Sequence, residues 1–246
     1  MMHSVLVYHT ISAPPEPLPG DIDISRERFA RQLQWLSRWR RVARLDETLS
    51  GAGANSRLVA ITFDDGYRDN LTVALPLLEK FGLPMTLFVT AGFVGREGYL
   101  SEGELREIAR HPLVTIGAHG FSHRHFTRLP KDEAHFELLE SRRLLESMTG
   151  EAIDLMAWPY GECNAELEEL SKHCGYRAAW SVWKGTNTAH SLWRVPLGRR
   201  DNLARFIAKV SGVHTITKAN WNRRSVRSQV LECVALRLPP HSKSFE

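Results

Sequence analysis

The chain of 246 residues is poor in cysteine: it has Cys163, Cys174 and Cys233, an odd number at spacings that match neither a zinc ribbon nor a redox pair. A disulfide framework is therefore not expected, and the cytoplasm is the default compartment. Long apolar runs are lacking as well. Nothing approaches the roughly 18 to 20 consecutive apolar residues of a spanning helix, so no transmembrane segment is expected. The opening stretch, Met1 to His9, is apolar but short, without a basic leader or a small-residue cleavage site. It reads as a first strand and not as a secretory signal. Repeats and low-complexity tracts are absent too.

Nor is one sign of charge spread along the chain. The net charge is +4, and residues 213–246 alone carry six basic residues (Lys218, Arg223, Arg224, Arg227, Arg237, Lys243) against Glu232 and Glu246, so the rest is neutral overall. No reader motif accompanies this basic tail. Nucleic acid is not the expected partner; a solvated segment, or one giving peripheral association with a membrane surface, is.

What the sequence does contain is a ladder. Apolar, β-branched runs of strand length (Val5 to Tyr8, Leu58 to Phe63, Met85 to Val89, Val114 to Ile116, Leu155 to Trp158, Ala178 to Val182) alternate with stretches of helical period. Ser25 caps a helix in which Phe29, Leu33 and Leu36 share a face, and further helices are expected over residues 70–80, 101–110, 131–148 and from Asn164. Strands joined by crossover helices form a parallel sheet, and the length suits a single large α/β domain over residues 1–212, followed by the tail. In a parallel α/β barrel the C-terminal strand ends share one rim. His9, Asp64, Asp65, His119 and Tyr160 all fall at such ends.

Asp64 and Asp65 are adjacent acids at the exit of a strand, before Gly66. Neighbouring carboxylates repel each other unless a cation offsets them. One could ligate a divalent metal while the other, facing the opposite way, stays free to take a proton; read alone, the run is equally a solvated Asp-Asp-Gly turn. His119 and His123, four apart in a turn or first helical turn, add two imidazoles suited to a borderline metal. Two His and one Asp leave coordination positions open, which marks a catalytic site. His111, His125, His135, His173, His190 and His214 read as surface histidines. Trp158-Pro159-Tyr160-Gly161 is a third strand exit, where the Tyr160 N–H is placed to hold an oxyanion.

Together these segments resemble the polysaccharide deacetylases with NodB homology, carbohydrate esterase family 4. Thr62 to Gly66 is similar to that family's first motif, His119 to His123 to its second and Ala157 to Gly161 to its third, over roughly residues 1–212. The resemblance implies a distorted (β/α)7 barrel, with Asp64 as base, Asp65, His119 and His123 as ligands of one divalent ion, and the Tyr160 backbone as oxyanion donor. The ion expected first is zinc, with cobalt, nickel or iron(II) as alternatives. The run Val5 to Ile11, a Pro-rich loop and Ile24 to Phe29 resemble the subgroup acting on poly-N-acetylglucosamine exopolysaccharides, which implies His9 as general acid. The wider family has an Arg where this chain has Ala157, and Arg194 is the candidate substitute charge.

The expected activity is removal of N-acetyl groups from amino-sugar residues of a glycan or glycan precursor. Pro159, Tyr160, Trp183 and Arg194 are candidate substrate contacts, whereas Trp158 and Trp180 read as core. Two rivals remain: a hydrolase of small amides or cyclic imides on the same fold, and a non-catalytic carbohydrate-binding protein, against which the retained Asp64 argues.

Overall fold

A strand that is apolar on both faces belongs inside a parallel sheet covered by helices. Ser4–Tyr8 (β1) fits this rule, with all five residues buried. The computed structural model describes residues 4–11, 21–49, 58–182 and 188–212. Trp183, most of the Pro-rich loop and the basic tail from residue 213 lie outside the described residues.

Ser25 caps Arg26–Trp39 (α1) by accepting from the Arg28 N–H, and the helix lays Phe29, Leu33 and Leu36 on the sheet. Then come Arg41–Val42 (β2), Leu58–Phe63 (β3), a π-helical turn at Asn70–Ala74 leading into Leu75–Phe81 (α2), Met85–Val89 (β4) and Glu102–Ala109 (α3). Val114–Ala118 (β5), Lys131–Thr149 (α4), Leu155–Ala157 (β6), Ala165–His173 (α5) and Ala178–Ser181 (β7) follow. Leu192–Trp193 (β8), Val195–Pro196 (β9) and Leu203–Val210 (α6) complete the described elements. The sheet path is β8-β7-β6-β5-β4-β3-β1-β9, parallel at every pairing, with β2 added beside the start of β3.

The two ends of this path are separated by one residue. β8 pairs with β7, β9 pairs with β1, and Arg194 joins them: its N–H donates to the Ser181 carbonyl, while the Leu197 N–H donates to Val7. The sheet thereby curls into a nearly closed barrel, in agreement with the expected (β/α)7 fold.

Alternation along the strands sorts the core into two layers. Leu6, Tyr8 and Phe63 pack outward against the helices; the Tyr8, Phe29 and Phe63 rings lie 5.1 to 5.8 Å apart, and such aromatic pairs contribute roughly 0.5–1.5 kcal/mol each beyond their buried area. Val5, Ala60, Phe88, Leu155, Ala157, Ala178 and Trp180 form the second layer, inside the barrel. Small side chains there make room for the Phe88 and Trp180 rings, 5.8 Å apart. Gly117 is one position that needs its bareness, since a Cβ would come within 2.5 Å of the Phe88 ring. The side chains of Asp64 and His119 meet above this plug.

Candidate metal centre and its acid–base partners

Asp64 is the first residue beyond β3, tied back to β1 by its N–H donating to the Tyr8 carbonyl at 2.9 Å. Its carboxylate is almost wholly buried and takes a two-pronged bond from Arg194: Nη1 to Oδ1 at 2.7 Å and Nη2 to Oδ2 at 2.8 Å. Arg194, itself buried, rests over the Phe88 ring and also donates to the Thr62 hydroxyl at 3.2 Å. Burial would raise the Asp64 pKa, but the guanidinium and the nearby imidazoles outweigh it and the carboxyl is held below the usual range. With each oxygen giving one lone pair to Arg194, others remain free. Arg194 thus provides the counter-charge that Ala157 cannot. As a substrate contact it is a poor fit, because its side chain is fully buried behind Asp64.

Asp65 turns the other way by adopting a left-handed backbone, φ +74°. Its buried Oδ1 lies 3.2 Å from His123 Nε2 and 3.5 Å from His119 Nε2, and no hydrogen bond satisfies it. One ligand atom from each of Asp65, His119 and His123 lies within 4.8 Å of the others. A buried oxygen without a donor, faced by two imidazole nitrogens, is what a divalent cation completes, and an N2O donor set suits zinc and its neighbours. The residues fit a metal ion. Burial pushes Asp65 up, yet His123, His9 and His119 hold its carboxyl far below the ordinary range.

The two histidines are oriented differently. At the exit of β5, the His119 Nδ1–H donates to the Ala157 carbonyl at 2.8 Å, which leaves Nε2 with its lone pair toward Asp65. Burial lowers its pKa to about 4, so the ring is neutral near pH 7. Of the turn and the first helical turn that the sequence left open for His123, the structure has the non-helical one: the residue sits in a loop at φ +58°, after Gly120 at φ +73°. Burial opposes its charge, but the Asp65 carboxylate prevails and raises its pKa.

Left-handed backbone at a non-glycine residue costs of order 1 kcal/mol and persists where surroundings enforce it. Among the described residues it occurs at Asp21, Asp65, His123 and Tyr160, three of them at this centre. Tyr160 has φ +59° in a short 3₁₀ turn, Pro159–Gly161. Its ring, about half exposed, stacks on His125 at 3.6 Å between centroids and lies edge-on to His123. Pro159 is buried and shapes the turn; it offers no open face to a substrate. Trp158 and Trp180 are fully buried, as expected of core residues.

His9 leaves β1 close enough to act electrostatically on both aspartates. Its carbonyl accepts from Asn70 Nδ2 at 2.8 Å, and Asp69 accepts from the Ile11 N–H at 2.9 Å and from the Thr10 hydroxyl. The π-helical turn therefore holds the strand exit that carries His9.

Sequence reasoning missed several of these contributors. Glu137, buried on α4, binds the loop between the two histidines, and a lone polar residue on an amphipathic helix gives no signal of that. Ala157 acts through its carbonyl, which every residue has. His125 and His190 were read as surface histidines, yet His125 stacks at the rim and His190 is buried against Ser171.

A nearly closed parallel barrel with a carboxylate–bis-imidazole cluster at its strand ends, beside an arginine-paired second carboxylate, defines a class: α/β-barrel proteins with a cluster able to hold a metal ion at the strand ends. The chain belongs to the polysaccharide deacetylase family, whose model, described as Polysaccharide deacetylase, matches residues 51–179. Similar proteins include YxkH of Bacillus subtilis (strain 168), named as a polysaccharide deacetylase, 26% identical over 70% of this chain and 62% of that protein. Another is the poly-beta-1,6-N-acetyl-D-glucosamine N-deacetylase of Staphylococcus aureus (strain MSSA476), 28% identical over 68% of this chain and 64% of that protein. The chain thus spans a little under two thirds of the length of these curated relatives. Among solved structures, IcaB from Ammonifex degensii is similar with a TM-score of 0.71 and 26% identity, covering 85% of this chain and 96% of that one. The Streptococcus pyogenes deacetylase PplD shares the fold, with a TM-score of 0.75 at 19% identity and coverage of 85% and 97%.

Proposed function

We propose that the protein is a metal-dependent hydrolase that removes N-acetyl groups from amino-sugar residues of a glycan or glycan precursor. The observation that carries this reading is the division of labour between adjacent acids. Asp65 faces two imidazoles, whereas Asp64 is ionised, braced by Arg194, and left with unused lone pairs beside them. A carbohydrate-binding protein has no need of that second, unligated carboxylate.

A divalent ion held by Asp65, His119 and His123, with zinc the best match to the donors, would polarise the acetyl carbonyl and acidify water. Asp64 takes the proton from the attacking water. The Tyr160 N–H donates to the oxygen that becomes negative as the carbonyl carbon turns tetrahedral. His9 gives a proton to the sugar nitrogen as the C–N bond breaks, because an amide nitrogen leaves poorly as an anion. Water and the amide thus yield acetate and a free amine. Tyr160, half exposed beside the centre, is the side chain best placed to meet a sugar ring. The similarity to poly-N-acetylglucosamine deacetylases supports that substrate class. Among the described residues no helix is long and apolar enough to cross a membrane; a cytoplasmic enzyme that associates with a surface through the basic tail is the arrangement we favour.

The test is acetate release from N-acetylglucosamine oligomers by the metal-loaded protein. Asp64→Asn should lower turnover by at least 10³-fold, the scale expected when a general base is lost, while still binding one metal equivalent. Near-parental turnover in that variant would exclude Asp64 as the base.

A further inference from the structure

The metal ligands come from two places of very different stiffness. His119 follows directly from β5 and is pinned by the Ala157 carbonyl, but His123 lies four residues out on a loop. A loop histidine in left-handed backbone needs something to hold it there. That hold comes from α4. Glu137 is buried in the middle of this helix, and its Oε2 accepts from the N–H groups of both Phe121 and Ser122 at 2.8 Å. Its Oε1 accepts from the Ser122 hydroxyl. Gly120, the other left-handed residue of the loop, packs against the same carboxylate: a Cβ added there would lie 3.5 Å from Oε2 and 3.1 Å from the Phe126 ring.

One side chain thus takes three donors from the two residues that immediately precede His123. On this basis we infer that Glu137 is a positioning residue for the metal centre: it fixes the 120–123 loop so that His123 Nε2 faces the oxygen shared with His119. The inference rests on the metal reading of Asp65, His119 and His123. Partners that orient a ligand without touching the metal commonly alter affinity by about 10 to 100-fold. Leucine keeps roughly the size of Glu137 but removes both acceptor oxygens, so that neither amide nor the hydroxyl is received; glutamine would keep one oxygen for both amides and turn its NH2 to the Ser122 oxygen. Ser122→Ala removes the hydroxyl and leaves both amide bonds in place.

Cobalt(II) and zinc affinities, measured by competition titration together with the cobalt ligand-field spectrum, separate the possibilities. The parent should bind one equivalent and His123→Ala should lose most of that affinity. Glu137→Leu should weaken binding at least 10-fold with an altered cobalt spectrum, and Ser122→Ala should weaken it by a smaller factor. Ser141→Ala, which removes a buried hydroxyl of α4 beside the Tyr176 phenol and away from the loop, controls for general loosening of the helix and should leave affinity unchanged. Should Glu137→Leu fail to fold, Ser122→Ala and Glu137→Asp carry the test. Parental affinity and spectrum in the folded loop variants would overturn the role of Glu137 while leaving the metal site standing. A parent that binds no metal would overturn the metal reading, and this inference with it.

Discussion

Arg194 and Asp64 are both buried and, among the described residues, each is the other's close ion-pair partner, with His119 Nε2 farther from Asp64 at 3.9 Å. Removing one member of such a pair leaves the other charged in a poorly solvated place, a loss of about 3–5 kcal/mol. Arg194→Met should therefore cost about that much in urea unfolding of the metal-free protein. Adding Asp64→Asn should recover part of the loss by neutralising the stranded acid. A single-variant change below about 1 kcal/mol, in the range of an exposed pair, would mean that the bond contributes no more than a surface contact. Lysine would not restore the arrangement, because it lacks the planar fork that grips both carboxylate oxygens. Sequence reasoning could name Arg194 as a candidate because it stands in a Trp-Arg-Val-Pro run after the last clear strand. The family resemblance also points to its partner, because the arginine that Arg194 would replace pairs with the base, Asp64; the run itself does not, since Asp64 is far away in the chain and meets Arg194 only when the barrel closes.

At the level of elements, α5 is joined to the approach of β8 by one histidine. His190 Nδ1 lies 2.7 Å from the Ser171 hydroxyl, and its carbonyl accepts from the Trp158 indole N–H at 2.9 Å. Burial lowers the pKa of His190, with Lys172 acting in the same direction and Glu168 and Glu169 opposing. The folded protein therefore binds this proton less readily than the unfolded chain. The stabilisation is complete above the unfolded histidine pKa of about 6.5 and is lost as pH falls below it toward the folded value, so stability should decline on acidification through that window. Comparing unfolding midpoints of the parent and His190→Asn from pH 8 to 5 isolates this contribution; parallel curves would remove His190 from the account.

The same scale shows what local pattern reveals. The strands at residues 58–63 and 85–89 announced themselves by apolar β-branched runs, and the helices after Ser25, Ser101 and Asn164 by their caps, each of which accepts a backbone N–H as expected. β2, β8 and β9 have two residues each, too few to carry a period, and they are specified by pairing partners distant in the chain. Residues 70–80 read as one helix, but the first turn is π-helical, and Asp69 and Asn70 at its start hold the strand exit at His9 to Ile11. Such turns recur at functional sites.

Taken whole, the molecule gathers its proposed ligands from the ends of two strands, β3 and β5, that have β4 between them. An ion held by Asp65, His119 and His123 ties those strands together in the folded state alone. Binding confined to the folded state stabilises it by about 2.7 kcal/mol at a free concentration 100 times Kd. Stripping the metal with a chelator should lower the thermal midpoint by several degrees, and zinc should restore it. An unchanged midpoint across a saturating titration would argue that no ion bridges the strands. The architecture itself was largely legible, because strand ends bearing His9, Asp64, His119 and Tyr160 predict a shared rim. The closure was not, since it depends on a five-residue segment with no pattern of its own.

That closure has a bearing on how the protein is made. Among the described residues the flank of β1 away from β3 is covered by residues 195 to 197, so a growing chain carries an exposed strand edge until that segment has been made. Such an edge invites pairing between molecules. The residue that joins the two rims is also the one that supplies the cation to Asp64. A chain cut short of this segment would keep both an unsealed sheet edge and an Asp64 carboxylate without its arginine, so that one stitch closes the wall and neutralises the acid behind it.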